Sequence, residues 1–86
     1  MEPDKIKELW NIWKTSYLTS TDLTERLVAS DVLDLICEIV VGQANLLCHL
    51  DPLTKPERAV DEVIAHIGIN KKSWNHVRMK KAGESE

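Results

Sequence analysis

The chain is poor in the residues that interrupt secondary structure. It holds three glycines and three prolines in 86 residues, and it has no phenylalanine. Few turn-forming residues imply few turns, and therefore long elements that are mostly helices. The chain also lacks the glycine-rich loop with which many nucleotide-binding enzymes hold phosphate.

Residues that could form a metal site, a disulfide or a catalytic nucleophile are equally sparse. The paired short spacings of a zinc site are absent, and the two cysteines, Cys37 and Cys48, are eleven residues apart. On one continuous helix that separation is about 16 Å, which is beyond disulfide reach. We expect both to be small apolar core residues. No serine, cysteine or histidine occurs in a recognisable nucleophile setting, so we predict no enzyme, no metal and no cofactor.

No membrane or secretory segment is evident. The start, Met1-Glu2-Pro3-Asp4, lacks the positive region and early apolar run of a signal peptide. The uncharged stretch after Glu38 ends at Asp51, which is too short to span a bilayer. These patterns favour a cytoplasmic protein without a membrane partner.

Helical periodicity predicts one all-α domain over residues 1–86, a compact bundle of four or five helices with a frayed tail at 82–86. The first helix should run from about Pro3 or Asp4 to Leu18. Its apolar residues form one stripe: Ile6, Leu9, Trp10, Trp13 and Tyr17. Such a stripe is typical of a core face. The alternative is a partner-binding face made by Trp10, Trp13 and Tyr17, because aromatic side chains anchor many interfaces.

The segment from Leu23 to about Leu50 is more apolar than one helix face requires. Seventeen of its 28 residues are apolar, and its polar residues form a single narrow stripe. A helix of this kind is central in a monomer or shared with a second subunit, so the pattern favours homodimerisation. One straight helix and a helix broken near Ser30 or Gly42 are both compatible with the pattern.

A loop at 51–56 separates this segment from two C-terminal helices. Thr54 and Glu57 have capping-box spacing, and Pro56 suits a first turn. The next helix should bury Ala59, Val60, Val63, Ile64 and Ile67. Gly68 is placed for a left-handed cap, and Asn70 can cap a final helix whose Trp74 and Val77 face inward.

This C-terminal pair resembles a helix-turn-helix in outline, over residues 57–81. Ala65 would allow close helix crossing, and Gly68 would form the turn. DNA would then be contacted by polar and basic residues of the last helix: Lys71, Lys72, Asn75, His76, Lys80 and Lys81, with Met79 on the same face. Against this, Trp74 stands where such motifs usually carry a smaller residue.

Charge favours protein rather than nucleic acid as the partner. The formal net charge is −3, so the basic segment at 69–81 is a local patch on an acidic chain. We therefore predict a small non-enzymatic regulatory or interaction protein that acts through protein–protein contacts, such as an adaptor, inhibitor or antitoxin. DNA binding by the C-terminal pair is the alternative.

Overall fold

Four α-helices make up most of the chain in a computed structural model that describes residues 2–84. They are α1 (Pro3–Thr19), α2 (Leu23–Leu50), α3 (Pro56–Ile67) and α4 (Lys71–Glu84). Within these residues there is no strand, and the predicted all-α bundle is confirmed with four helices. Fraying from residue 82 was expected, but α4 continues to Glu84, and residues 85–86 lie outside the described part.

The turn between α1 and α2 is organised by hydrogen bonds at the start of α2. The Asp22 carboxylate accepts from the backbone N–H groups of Thr24 at 2.9 Å and Glu25 at 3.4 Å. This confirms the predicted cap, which satisfies donors that a helix start leaves unpaired. The Glu25 carboxylate accepts from the Ser20 hydroxyl rather than from the Asp22 backbone, so the capping box is incomplete.

Helix α2 is one uninterrupted helix of 28 residues, with no break at Ser30 or Gly42. At about 1.5 Å per residue it is about 42 Å long, and the longest dimension of the molecule is 43 Å. The shortest dimension is 18 Å, the thickness of about two packed helices. Within the described residues, one side of α2 has no helix over it, since Leu35 and Leu46 are each 60 % exposed.

Helices α1 and α3 both pack on α2. Short connections make each of them antiparallel to α2. They also meet one another, since the Lys7 side chain on α1 passes over the turn at Gly68 that ends α3. The two shorter helices therefore share the task of covering one face of the long one.

The loop before α3 differs from the prediction. The residue that precedes the helix is Lys55, and no side chain caps the helix start, so the expected Thr54 capping box does not form. Pro56 occupies the first turn as predicted. Asp51 organises the loop instead, because it accepts from the backbone N–H of Leu53 through its carboxylate and from that of Thr54 through its carbonyl.

A single core cluster joins all four helices around Trp10, whose side chain is fully buried. Its ring stacks on Trp74 of α4 with 5.4 Å between centroids. Its indole N–H donates to the Ser73 hydroxyl at 3.0 Å, so the polar atom is satisfied. The cluster consists of Ile6, Trp10, Tyr17, Ala29, Leu33, Ile36, Cys37, Val40, Ala44, Ala59, Val63, Ile64, Ile67, Ile69, Trp74 and Val77.

We expect Trp10→Ala to lower the free energy of unfolding by about 3–5 kcal/mol, because it opens a cavity and removes the stack on Trp74. That is a large share of the roughly 5–15 kcal/mol typical of a folded domain. Urea unfolding followed by far-ultraviolet circular dichroism measures the loss. Trp13→Ala is the matched control, since Trp13 is only partly buried; an equal loss in both variants would contradict the central role of Trp10.

Candidate functional site

Titratable and nucleophilic side chains are dispersed over the molecule. His49, His66 and His76 are exposed and lie on three different helices. Across residues 2–84, no three His, Cys, Asp or Glu side chains come close enough to share a metal ion. Burial raises the pKa of the Cys37 thiol although the nearby Arg78 acts in the opposite direction. A raised pKa keeps the thiol neutral and makes it a poor nucleophile.

Most of the predicted aromatic binding face lies in the core. Trp10 is 0 % exposed and Tyr17 is 1 % exposed, so neither can anchor a partner on this surface. Trp13 is partly buried and packs against the same cluster. The reason is the helical spacing itself, because the stripe that holds these three residues is the face α1 turns towards the other helices. The surface-anchor hypothesis therefore does not fit Trp10 and Tyr17.

The turn between α3 and α4 has the predicted geometry. Gly68 has φ of +96°, a left-handed conformation that other residues rarely adopt. The carbonyl of Ile64 accepts from the backbone N–H groups of both Gly68 and Ile69, each at 2.9 Å. Asn70 then caps α4, with its side-chain oxygen accepting from the Ser73 N–H at 3.2 Å. Ala65 is exposed, so it is not the small residue that permits close helix crossing.

Two of the predicted DNA-contacting lysines are held by carboxylates of the same chain. Lys71 pairs with Asp61 on α3 at 3.0 Å. Lys81 pairs with Asp34 on α2 at 2.9 Å and also donates to the hydroxyl and carbonyl oxygens of Ser30. Lys81 therefore fastens α4 to α2, and its side chain is only 14 % exposed. Both pairs reduce the positive charge that α4 presents to solvent.

The remaining predicted residues share one open surface on α4. Lys72, Asn75 and His76 are exposed, and Met79 beside them is 76 % exposed. Lys80 borders the same surface, but its ammonium group lies over the Tyr17 ring, 4.9 Å from the centroid. The structure thus brings four of the six predicted residues together and turns Lys71 and Lys81 towards neighbouring helices.

A second exposed surface, which the sequence pattern did not localise, runs along α2. We call it the outer row, and its members are Val28, Val32, Leu35, Ile39, Gly42 and Leu46. Leu35 and Leu46 are each 60 % exposed and Val28 is 45 % exposed. Val32 and Ile39 are partly buried, and Gly42 is exposed. Large apolar side chains aligned along one helix and open to solvent are typical of a binding surface.

The outer row repeats the spacing of the buried row beside it. Its members are separated by four, three, four, three and four residues, the heptad spacing of helices that pack along their length. Moving the first four positions forward by one residue gives Ala29, Leu33, Ile36 and Val40, which are all buried in the core. One residue is a turn of about 100° around a helix. Helix α2 is therefore patterned for two layers of neighbours, of which the described chain supplies one.

Polar groups border the outer row on one side. Asp31, Asp34 and Glu38 are exposed on the adjoining face of α2. On the other side, an open groove between α2 and α3 is lined by Gln43, Leu46, Leu47, Glu62, Val63 and His66. The candidate site is thus an apolar strip with an acidic edge.

Within the described residues, no helix combines the length and the apolar character needed to cross a bilayer.

The sequence shows that α2 has more apolar residues than one helix face requires. It does not show which apolar face of α2 remains exposed. The sequence feature that could have located this face is the heptad spacing of residues 28 to 46, which lies one residue before the buried positions of α2. Which of two equivalent rows is buried depends on where α1 and α3 pack, and that depends on the tertiary arrangement.

Comparison of the chain with known protein families, with curated proteins and with solved structures finds no match.

Replacing the turn glycine tests the α3–α4 geometry. We expect Gly68→Ala to lower the free energy of unfolding by about 1–2 kcal/mol, because alanine is strained at positive φ and its Cβ would lie 3.0 Å from Lys7 Cδ. Gly83→Ala is the control, since Gly83 lies in α4 with nothing within 4 Å of a Cβ there, and helix propensity should raise stability by up to about 1 kcal/mol. Urea unfolding of both variants measures the difference; the same sign in both would refute the assigned turn.

Proposed function

We propose that this chain is a small non-enzymatic interaction protein of the cytoplasm that acts by docking its α2 helix on another polypeptide. The observation that carries the proposal is the outer row, where Leu35 and Leu46 remain 60 % exposed on a helix whose opposite side is the core. Exposed leucines cost solubility, and contact with a partner would bury them favourably, by about 25 cal/mol for each Å² of apolar surface.

The chemistry of the surface specifies the kind of partner. A strip with heptad spacing fits the apolar face of a second helix. Asp31, Asp34 and Glu38 border this strip, although Asp34 is already paired with Lys81. Acidic side chains at the rim of an interface govern the rate and specificity of association more than its affinity. The strip therefore supplies affinity, and the acidic edge makes association depend on ionic strength and on the charge that the partner places beside it.

DNA binding through α4 is the second candidate function. It is supported by the left-handed Gly68 turn and by the shared exposure of Lys72, Asn75 and His76. Two features weaken it. Lys71 and Lys81 pair with carboxylates, and the formal net charge of the chain is −3. Phosphate contacts provide most of the non-specific affinity of DNA-binding proteins, and few lysines are left to make them.

Co-purification with matched surface variants tests the leading proposal. An affinity-tagged chain and an untagged copy are expressed together in the native cells. Polypeptides that are retained with the tagged chain are cross-linked to it and identified. We expect Leu35→Ser/Leu46→Ser to lose the retained polypeptides, because the apolar strip is interrupted at two positions. Leu53→Ser should retain them, since Leu53 is 92 % exposed but lies in the loop before α3. Equal retention by the two variants would contradict docking through α2.

The same proteins distinguish the DNA alternative. Gel shifts with random duplex DNA at low salt should show no binding by the wild-type chain if α2 docking is the function. A shift that is abolished by Lys72→Glu and unaffected by Leu35→Ser/Leu46→Ser would favour DNA binding instead. Circular dichroism of each variant confirms that the helices are intact.

A further inference from the structure

We propose that the polypeptide covering the outer row is a second copy of this chain, with the two α2 helices antiparallel about a two-fold axis beside residue 37. The inference rests on the proposed function and names the occupant of the same surface. It follows from the spacing, the residue sizes and the area of the outer row.

The outer row is complementary to itself when reversed. About an axis beside residue 37, Leu35 faces Ile39 of the second copy, and Val28 faces Leu46. Val32 faces Gly42 of the second copy, where a Cβ would meet no atom of its own chain within 4 Å. The missing side chain at Gly42 makes room for the valine, so this pair can close without a void or a clash.

Parallel pairing of the same row packs less well. Each residue would then face its own equivalent, and Gly42 would face Gly42, leaving a gap one position from the C-terminal end of the strip. Gaps of that kind forfeit van der Waals contact and destabilise an interface. Both arrangements give a closed two-fold dimer, the commonest form of homo-oligomer, so the packing of Val32 against Gly42 is what favours the antiparallel one.

The exposed area is sufficient for a weak dimer. The exposed fractions of the outer row and of Leu50, which is 75 % exposed at the end of α2, correspond to on the order of 500 Å² of apolar surface per copy. With the polar rim the total approaches about 1,200 Å², the lower end of stable interfaces. Interfaces of this size are commonly weak or transient, so we expect a reversible dimer with a dissociation constant on the order of 1–100 μM.

The charged residues beside the strip distinguish the antiparallel dimer from the parallel one. In the antiparallel dimer Glu38 of each copy borders the strip next to the axis, so the two carboxylates approach one another. Asp31 lies opposite Asn45 of the second copy and meets no like charge. In a parallel dimer Glu38 would lie opposite Gln43 instead. Repulsion at the axis should thus weaken the dimer at low salt, and screening should strengthen it.

Sedimentation equilibrium of the full chain from about 1 μM to 1 mM tests the proposal over the range in which a micromolar dimer dissociates. We expect wild type to be a reversible dimer. Leu35→Glu/Leu46→Glu should be monomeric at every concentration, and Leu53→Glu should match wild type because Leu53 is exposed outside α2. Glu38→Gln should tighten the dimer about two- to five-fold at low salt, and Asp31→Asn should change it little. Circular dichroism and thermal unfolding show whether each variant is folded.

Each contrary result refutes one part of the proposed dimer. A wild-type monomer at all concentrations, or a dimer that survives Leu35→Glu/Leu46→Glu, refutes a second copy on the outer row. A dimer that requires the row but ignores Glu38→Gln refutes the antiparallel axis. The proposed function fails separately. If the wild-type chain is monomeric but Leu35→Ser/Leu46→Ser still abolishes co-purification of another polypeptide, docking through α2 stands and only the second copy is refuted. If the chain self-associates and no other polypeptide co-purifies, the α2 surface binds only a second copy of the chain.

Discussion

The packing of Trp10 against Trp74 holds the first and last helices together, and the other contacts of α4 depend on it. Trp10 has no exposed surface, stacks on Trp74 and donates to Ser73, so one side chain makes both an apolar and a polar contact with α4. Helix α4 contributes only Trp74 and Val77 to the core. With so little apolar surface of its own, it is positioned by this stack, by the Gly68 turn before it and by Lys81 near its end.

The same packing decides which surfaces remain available. Trp10 and Tyr17 draw the aromatic face of α1 inward, and most of the large apolar side chains that remain exposed lie on α2. Lys81 reaches across to Asp34 and Ser30, so the basic C-terminal segment is partly neutralised by α2. An acidic and apolar α2 is thus presented on the surface of a bundle only 18 Å thick, where no further layer of residues 2–84 covers it. Binding through α2 follows from this geometry, whereas DNA binding would have to use what remains of the α4 charge.

Local signals predicted the elements well. The stripe of α1, the Asp22 cap, the Gly68 turn and the Asn70 cap each depend on a few neighbouring residues, and each was found where the pattern placed it. Two finer predictions failed. Thr54 does not cap α3, since hydrogen bonds to Asp51 organise that loop, and Ala65 is exposed rather than placed at a close helix crossing. Trp10 and Tyr17 were kept open as surface anchors, but burial excludes that role.

The amino-acid sequence by itself determined the all-α class, the helix ends and the excess of apolar residues between Leu23 and Leu50, because helical spacing and capping are local. It also contained the two heptad rows of α2, offset by one residue. Only the tertiary structure decided which row is buried, since both rows are equally apolar and the choice depends on where α1 and α3 pack. The missing glycines and prolines made the helices long, and the length of α2 in a thin bundle is what left its outer row exposed.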